Sequence, residues 1–276
     1  MWKLLLIALL PLAVGKHPWY PCSELHEDVR YPCRCAVKVD RSLQLTIHMD
    51  CDRVVFPGDF PPLPYAAPIV SFQQRHAGHQ TLPTQIFSSY GLALKELDFS
   101  QNSLRRLPDR LLAGVRGNLT KLILADNLLG DNLNPIFSTA ELHNLPALEE
   151  LDLSGNSIRG LEEGLLIGCD VMKVLRLDRN NMNSVPSSSL NGPRALKVLS
   201  LRENRIALIR QGSFLSQKAL EERFAWDGNL EKLDLSENFI TDFPTVALKS
   251  FAALKHLNLS SNMITPYIKH VDYYRL

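Results

Sequence analysis

The stretch LEELDLSGNSIRGL, Leu148 to Leu161, decides how the rest of the chain is read. Its apolar residues, Leu148, Leu151, Leu153, Ile158 and Leu161, fall at offsets that suit neither a helix face nor a long alternating strand. Asn156 places an amide where the pattern asks for an apolar side chain. Taken alone, that asparagine could be a reactive group, a ligand contact or part of the frame.

The wider sequence resolves the choice, because the pattern recurs. LKELDFSQNSL starts at Leu94, LTKLILADNLL at Leu119, MKVLRLDRNNM at Met172, LKVLSLRENRI at Leu196, LEKLDLSENFI at Leu230 and LKHLNLSSNMI at Leu254. With the quoted copy these make seven matches to L-x-x-L-x-L-x-x-N-x-L, spaced by 25, 29, 24, 24, 34 and 24 residues. This is the leucine-rich-repeat signature. Eighteen residues after each start but the last stands one large apolar residue: Leu112, Phe137, Leu166, Leu190, Phe214 and Leu248. A worn copy precedes them at Ile69, with Phe72, Leu82 and Phe87 in register and Gln74 and Ala77 breaking the pattern.

Within L-x-x-L-x-L the second and third leucines alternate on a short strand, so both point inward. One unit cannot bury that side alone, whereas stacked units bury it together. The expected fold is an α/β leucine-rich-repeat solenoid. Short parallel strands line its concave face, and loops and short helices line its convex face. The recurring asparagines, Asn102, Asn127, Asn156, Asn180, Asn204, Asn238 and Asn262, follow the strands, where the turning backbone leaves polar groups inside. A primary amide both donates and accepts, so the column reads as a buried ladder and not as chemistry.

The 276 residues carry a net charge of +1 with 21% charged side chains, which gives no electrostatic case for nucleic acid or anionic membrane. Residues 1–15 combine a basic start, the apolar run Leu4–Val14 and small residues at Ala13 and Gly15, the pattern of a secretory signal peptide. That run is shorter than the roughly 20 residues of a membrane span. No later segment is expected to insert in a membrane. Cys22, Cys33, Cys35 and Cys51 cluster just beyond the signal, and in an oxidising compartment they read as two disulfides with three possible connectivities. Zinc is the rival, but Cys33 and Cys35 stand only one residue apart, an awkward bite for one metal.

Residues 16–67 are placed to cover the apolar face of the first coil, with repeats over 68–265 and a non-repeat tail over 266–276. The CRC of Cys33–Cys35, followed by Asp50-Cys51, resembles the cysteine-flanked N-terminal caps of extracellular leucine-rich-repeat proteins. That resemblance implies Cys22–Cys35 and Cys33–Cys51 pairing. From Cys22 to Thr265 the chain is similar to arthropod repeat proteins of the chaoptin and artichoke kind, which implies a role in adhesion or matrix organisation. The tail PYIKHVDYYRL adds no apolar residue in phase and no cysteine-flanked closing cap. A C-terminally truncated chain is therefore expected, with self-association through the uncapped last repeat.

Outward positions of the strands include Glu96, Asp98, Lys121, Glu150, Asp152, Lys232, Asp234 and His256. Mixed charge is densest at Arg176, Asp178, Arg179, Arg202 and Glu203, the candidate ligand-binding patch. Arginines there suit bidentate contacts to a protein carboxylate or a sulfated glycan, while a self-paired, solvated patch is the plainer reading. The sequons Asn118-Leu-Thr120 and Asn258-Leu-Ser260 are candidate glycan acceptors, the second on a concave strand. Two repeats are long, carrying STAELHNLPA after Phe137 and LSQKALEERFAWDGN after Phe214, where Ala219, Leu220, Phe224 and Ala225 suit a helical stripe. His76 and His79 lack a third ligand nearby, Cys169 fills an apolar repeat position, and no nucleophile triad or phosphate loop is present. No catalysis, cofactor or metal is expected. The expected function is secreted or cell-surface binding of a protein or glycan ligand on the concave face, for adhesion or receptor-type recognition. A matrix protein working by lateral association is the alternative.

Overall fold

In the computed structural model the described residues are 19–22, 32–56, 68–84, 86–87, 94–130, 136–210, 213–214 and 226–265. The expected signal peptide, the 57–67 part of the cap, the 219–225 helical stripe and the 266–276 tail lie outside them.

The strands, in chain order, are β1 (Tyr20–Pro21), β2 (Arg34–Val39), β3 (Leu45–Asp50), β4 (Ile69–Gln73), β5 (Glu96–Asp98), β6 (Lys121–Ile123), β7 (Ile136–Phe137) and β8 (Glu150–Asp152). They continue with β9 (Gly160–Leu161), β10 (Val174–Arg176), β11 (Val198–Ser200), β12 (Lys232–Asp234) and β13 (His256–Asn258). Eleven of them form one sheet in the order β1-β2-β3-β4-β5-β6-β8-β10-β11-β12-β13. From β3 onward every pairing is parallel, and the central leucines stand opposite one another, from Leu97 and Leu122 to Leu233 and Leu257. The molecule is a leucine-rich-repeat solenoid of about seven turns with a disulfide-bonded N-terminal cap.

The coils inside the stack bury three apolar positions from the strand segment, such as Leu148, Leu151 and Leu153, and one from the returning segment, such as Leu166. By contrast, Leu254, Leu257 and Leu259 of the last described coil are only partly buried. A fully buried leucine replaced by alanine costs about 2–5 kcal/mol, because the stacked neighbours on both sides cannot collapse into the space. The worn first coil uses aromatics instead: its Phe72 and Phe87 meet Phe99 of the next coil, with ring centroids 5.8–6.4 Å apart. The returning segments contain 3-10 turns at Ala140–Leu142, Ser187–Asn191, Trp226–Asn229 and Ala247–Ser250, and there is no α-helix among the described residues. A second parallel ribbon, β7 with β9, joins the returning segments of two adjacent coils, a pairing that the repeat pattern does not announce.

Asn156 shows how the turn after each strand is held. Its Nδ2 lies 3.0 and 3.1 Å from the Leu153 and Ser154 carbonyls of its own coil, and 2.9 Å from the Leu124 carbonyl of the coil before. Its Oδ1 accepts the Leu129 N–H of that earlier coil at 3.2 Å. The six other ladder asparagines make the same bonds, each reaching backward by one coil, from Asn102 to the Gln74 carbonyl through Asn262 to that of Leu235. At the start of the solenoid, where Ala77 replaces the asparagine, Gln74 occupies a leucine position. It is fully buried and donates from Nε2 to the Val54 carbonyl of the cap at 2.9 Å. The two residues that break the repeat are thus where the ladder ends and the cap takes over.

The cap is an antiparallel hairpin, β2 against β3, docked by β3 onto β4 in parallel. Disulfides join Cys22 to Cys35 and Cys33 to Cys51, and all four cysteines are buried. Cys35, Val37, Ile47 and Met49 cover the inner face of the first coil.

Two substitutions separate the ladder from mere packing. Asn180→Ala is expected to cost about 1–3 kcal/mol, by leaving buried polar groups in two coils unpaired. Asn262→Ala is expected to cost less, because Asn262 is half-buried at the end of the column. Urea unfolding of both variants measures the difference; equal losses would mean that the amide bonds are not what holds the turns.

A charge-paired concave face as the candidate binding site

Four positions per coil line the concave side: the first and third residues of the three-residue strands, and the two residues that precede the ladder position. The earlier of those two is buried where it is Ser100, Ala125, Ser154 or Ser236. Across the coils from β4 to β13 these positions carry the carboxylates Glu96, Asp98, Asp126, Glu150, Asp152, Asp178, Glu203, Asp234 and Glu237. The cations are Arg75, Lys121, Arg176, Arg179, Arg202 and Lys232. Carboxylates outnumber cations on this face of a chain whose total charge is +1.

The structure brings Arg176, Asp178, Arg179, Arg202 and Glu203 together. All five line one shallow cleft of about 260 Å³, with Ala125, Asp152 and Ser154. The guanidinium groups are engaged within the molecule. Arg176 pairs with Glu150, which Lys121 also approaches to 3.3 Å. Arg179 reaches Asp126 at 2.9 Å, Arg202 reaches Glu237 at 2.6 Å, and at the cap Arg75 Nε donates to Asp52 at 2.9 Å. Glu150 sits among opposing effects: burial raises its carboxyl, but Arg176 and Lys121 outweigh this and hold it below the ordinary range.

The Arg179–Asp126 pair spans two coil steps, and Gly155 in the intervening coil makes room for it. A Cβ at Gly155 would lie 2.1 Å from Asp126 Oδ1. Gly155 also has a left-handed backbone (φ +67°), as does the residue before every other ladder position: His76, Gln101, Asp126, Arg179, Glu203, Glu237 and Ser261. In this conformation the N–H of Arg179 donates to the Arg202 carbonyl, and that of Glu203 to the Ser236 carbonyl, so coil-to-coil bonding continues past the strands. Two residues of the candidate patch, Arg179 and Glu203, are therefore fixed by a backbone turn that costs side-chain-bearing residues about 1–2 kcal/mol.

Asp178 lies at the centre of the cleft. Its carboxylate accepts the Ser200 hydroxyl and, at 2.9 Å, the Arg202 N–H. Burial, the largest effect, and the nearby Asp152 and Asp234 charges nevertheless raise its pKa above the ordinary aspartate value. Elsewhere the LDxS motif caps its own strand: Asp98, Asp152 and Asp234 each accept the N–H two residues on at 2.9 Å.

Other residues singled out by sequence stand apart from the cleft. Asn118 is exposed before β6. Asn258 is exposed on β13, where its Oδ1 accepts the Ser260 hydroxyl at 2.9 Å and its Nδ2 donates to Asp234 at 3.1 Å. Cys169 is fully buried, its thiol pushed up to about 11, chiefly by burial. Burial lowers the pKa of His79, and no group of three or more potential metal ligands occurs among the described residues. No helix among them is long and apolar enough to cross a membrane. The long third repeat has a structural consequence that sequence reasoning missed. Buried Glu141 accepts the backbone N–H groups of Arg110 and Leu112 at 2.7 and 2.8 Å, tying the extra residues to the preceding returning segment. The isolated sequence held no signal for this beyond one carboxylate in an otherwise bland insertion.

These features define a leucine-rich-repeat fold with a capped N-terminus, and comparison with known proteins finds the same repeats in part of the chain. The family described as Leucine rich repeat matches residues 170–222 and 228–270, and a second description of the same name matches 147–169. In sequence, part of the chain is similar to Toll-like receptors and to fibromodulin. It is 36% identical to mouse (Mus musculus) Toll-like receptor 9 over 92 residues, 33% of this chain and 8% of the receptor. It is 33% identical to pig (Sus scrofa) fibromodulin over 96 residues, 35% of this chain and 58% of that protein. The chain thus aligns with under two thirds of either relative's length. In structure it resembles a chain of the Drosophila Toll–Spatzle complex (TM-score 0.59, 19% identity), covering 74% of this chain and 28% of that one. It also resembles a chain of the TLR13–ssRNA13 complex (TM-score 0.62, 22% identity), covering 74% of this chain and 26% of that one. At those identities the structural likeness is one of fold.

Two outcomes are expected at this face. Because the folded pKa of Asp178 lies above its unfolded value, the ionised carboxylate opposes folding at neutral pH, and that penalty vanishes below the unfolded pKa. Asp178→Asn, which keeps an acceptor oxygen, should therefore melt higher than the parent at pH 7 and equal to it below about pH 3.5. A melting difference independent of pH would contradict this. Gly155→Ala should lose about 1–2 kcal/mol in urea unfolding, from backbone strain and from displacement of the Asp126 carboxylate; an unchanged midpoint would show that the turn tolerates a Cβ.

Proposed function

We infer that this protein is a secreted or cell-surface recognition module that binds a protein ligand through its concave face and catalyses no reaction. The observation that carries the reading is the cleft around Asp178, where five charged side chains from two adjacent coils are held by cross-coil ion pairs and left-handed turns. Side chains fixed in this way lose little freedom on association, so binding free energy is not spent on ordering them. Arginines and aspartates on a rigid sheet give directional contacts to a macromolecule, and the face is too open to enclose a small one. The disulfide-bonded cap suits an oxidising compartment. Recognition of a macromolecule fits the comparisons, since one relative is named a receptor and structural neighbours were solved with a protein, Spatzle, and with an ssRNA. Adhesion through this face is the finer form of the reading, and N-glycans on Asn118 and Asn258 would leave the Asp178 cleft open.

A second reading, lateral association as a matrix component, draws on the last described coil, where Leu254, Leu257, Leu259 and Ile264 are only partly buried. It predicts a concentration-dependent rise in sedimentation coefficient that a Leu257→Glu variant abolishes.

The concave-face reading has a direct test. Asp152→Asn completes an Asn-Leu-Ser acceptor triplet with Leu153 and Ser154, which places an N-glycan on β8 when the protein is secreted from a eukaryotic host. Binding of the purified protein to the surface or matrix of its source cells should fall at least about tenfold, the equivalent of 1.4 kcal/mol. Amidase removal of the glycan, which regenerates the aspartate, should restore it. Undiminished binding with the glycan present, verified by mass, would exclude this face.

A further inference from the structure

We propose that the ligand of the concave face is a cationic protein segment, rich in lysine or arginine, and not the carboxylate or sulfated ligand that the arginine count suggests. This rests on the concave-face reading above and specifies the chemistry of the same site.

The argument begins with which charges are spent. Five of the six cations on this face already face a carboxylate: Arg75, Lys121, Arg176, Arg179 and Arg202. An acidic ligand would have to displace an existing partner and leave that carboxylate stranded, an exchange with little net gain. The carboxylates are in surplus. Glu96, Asp152, Asp178, Glu203 and Asp234 have no ion-pair partner among the described residues. The face therefore presents unspent negative charge and keeps its positive charge internally neutralised.

Geometry concentrates that surplus. Asp178 and Asp152 line the same cleft, and burial together with the charges of Asp152 and Asp234 raises the Asp178 pKa above the ordinary aspartate value. A cation placed among them would relieve mutual repulsion, which is an attraction of the ligand that no single carboxylate supplies.

A second feature of the cleft points to a donor-bearing ligand. Ser154, also on its lining, is only 5% exposed, and its hydroxyl has no hydrogen-bond partner. Buried polar groups are normally paired, so an orphan here marks a place for an arriving N–H. Ammonium and guanidinium groups carry only donors, which is what three carboxylates and a hydroxyl oxygen call for. A bound metal ion is the poorer occupant, since the described acidic groups do not converge to a coordination distance. A polycation whose charges are spaced along an extended or helical segment would instead follow the acids from one coil to the next.

The test uses the full protein, a fluorescein-labelled oligolysine peptide and heparin, read by anisotropy at low and physiological ionic strength. Oligolysine should bind, with affinity falling as salt rises, and heparin should not. The variant D152T/D178N/D234T keeps an oxygen acceptor at each position and adds no glycan acceptor triplet. It should bind oligolysine about tenfold or more weakly. Lys232→Glu, which removes the one cation of this face without an ion-pair partner among the described residues, should bind it more tightly. A control that removes equal charge outside the concave strands, E163Q/D170N/D242N, should leave affinity unchanged. Heparin binding without oligolysine binding overturns the proposal, and so does a D152T/D178N/D234T affinity equal to the parent's. If oligolysine fails while cell-surface binding remains sensitive to the glycan at position 152, the ligand chemistry is wrong and the concave-face reading stands.

Discussion

The structure depends on one bond pattern: a buried side-chain amide that donates to carbonyls of two coils and accepts an N–H from the earlier one. A solenoid must reverse direction in every turn, and each reversal pulls backbone polar groups out of the sheet and into the interior. Left unpaired there, they would cost about 1–3 kcal/mol each, repeated at every coil. The amide at Asn102, Asn127, Asn156, Asn180, Asn204, Asn238 and Asn262 removes that cost and locks the spacing between neighbours. The leucines supply most of the burial, but they would tolerate a small slip along the stack. The directional amide bonds do not.

From that constraint the character of the concave face follows. The residue before each amide is forced into a left-handed turn, so positions such as Arg179 and Glu203 are fixed by the backbone before any side-chain contact is counted. Strand register then aligns Glu150 with Arg176's coil, and Asp126 with Arg179 across Gly155. The ion pairs on this surface are half-exposed and individually worth little. Their consequence is a distribution of charge, with arginines neutralised in place and aspartates left over. In the proposed reading, recognition by such a surface is set by the remainder and not by the inventory.

The cap and the first coil show how a repeat ends. A leucine column cannot stop without exposing an apolar face, and an amide ladder cannot stop without leaving its last turn unsupported. Both problems meet at Gln74, buried in a leucine position and bonded to the Val54 carbonyl of the cap. The disulfides hold the short hairpin that covers this end. Cross-links of this kind restrict the unfolded state of so short an element.

The sequence by itself determined the solenoid, the inward leucines, the amide column and the outward columns of the concave sheet. Each of these depends on spacing along the chain, and spacing repeats. It also marked the five residues of the charged patch, because outward strand positions can be counted. Which charges would be neutralised was decided only by the tertiary structure. Arg176 meets Glu150 from a coil 26 residues away, and Arg179 meets Asp126 from 53 residues away. Those partners depend on coil curvature, side-chain length and a single missing Cβ at Gly155. The same holds for the β7–β9 ribbon, the burial of Glu141 and the cap hairpin, which occur once and so leave no period to read. Repetition makes local geometry legible from sequence, whereas contacts made once between distant residues exist only after the stack has formed.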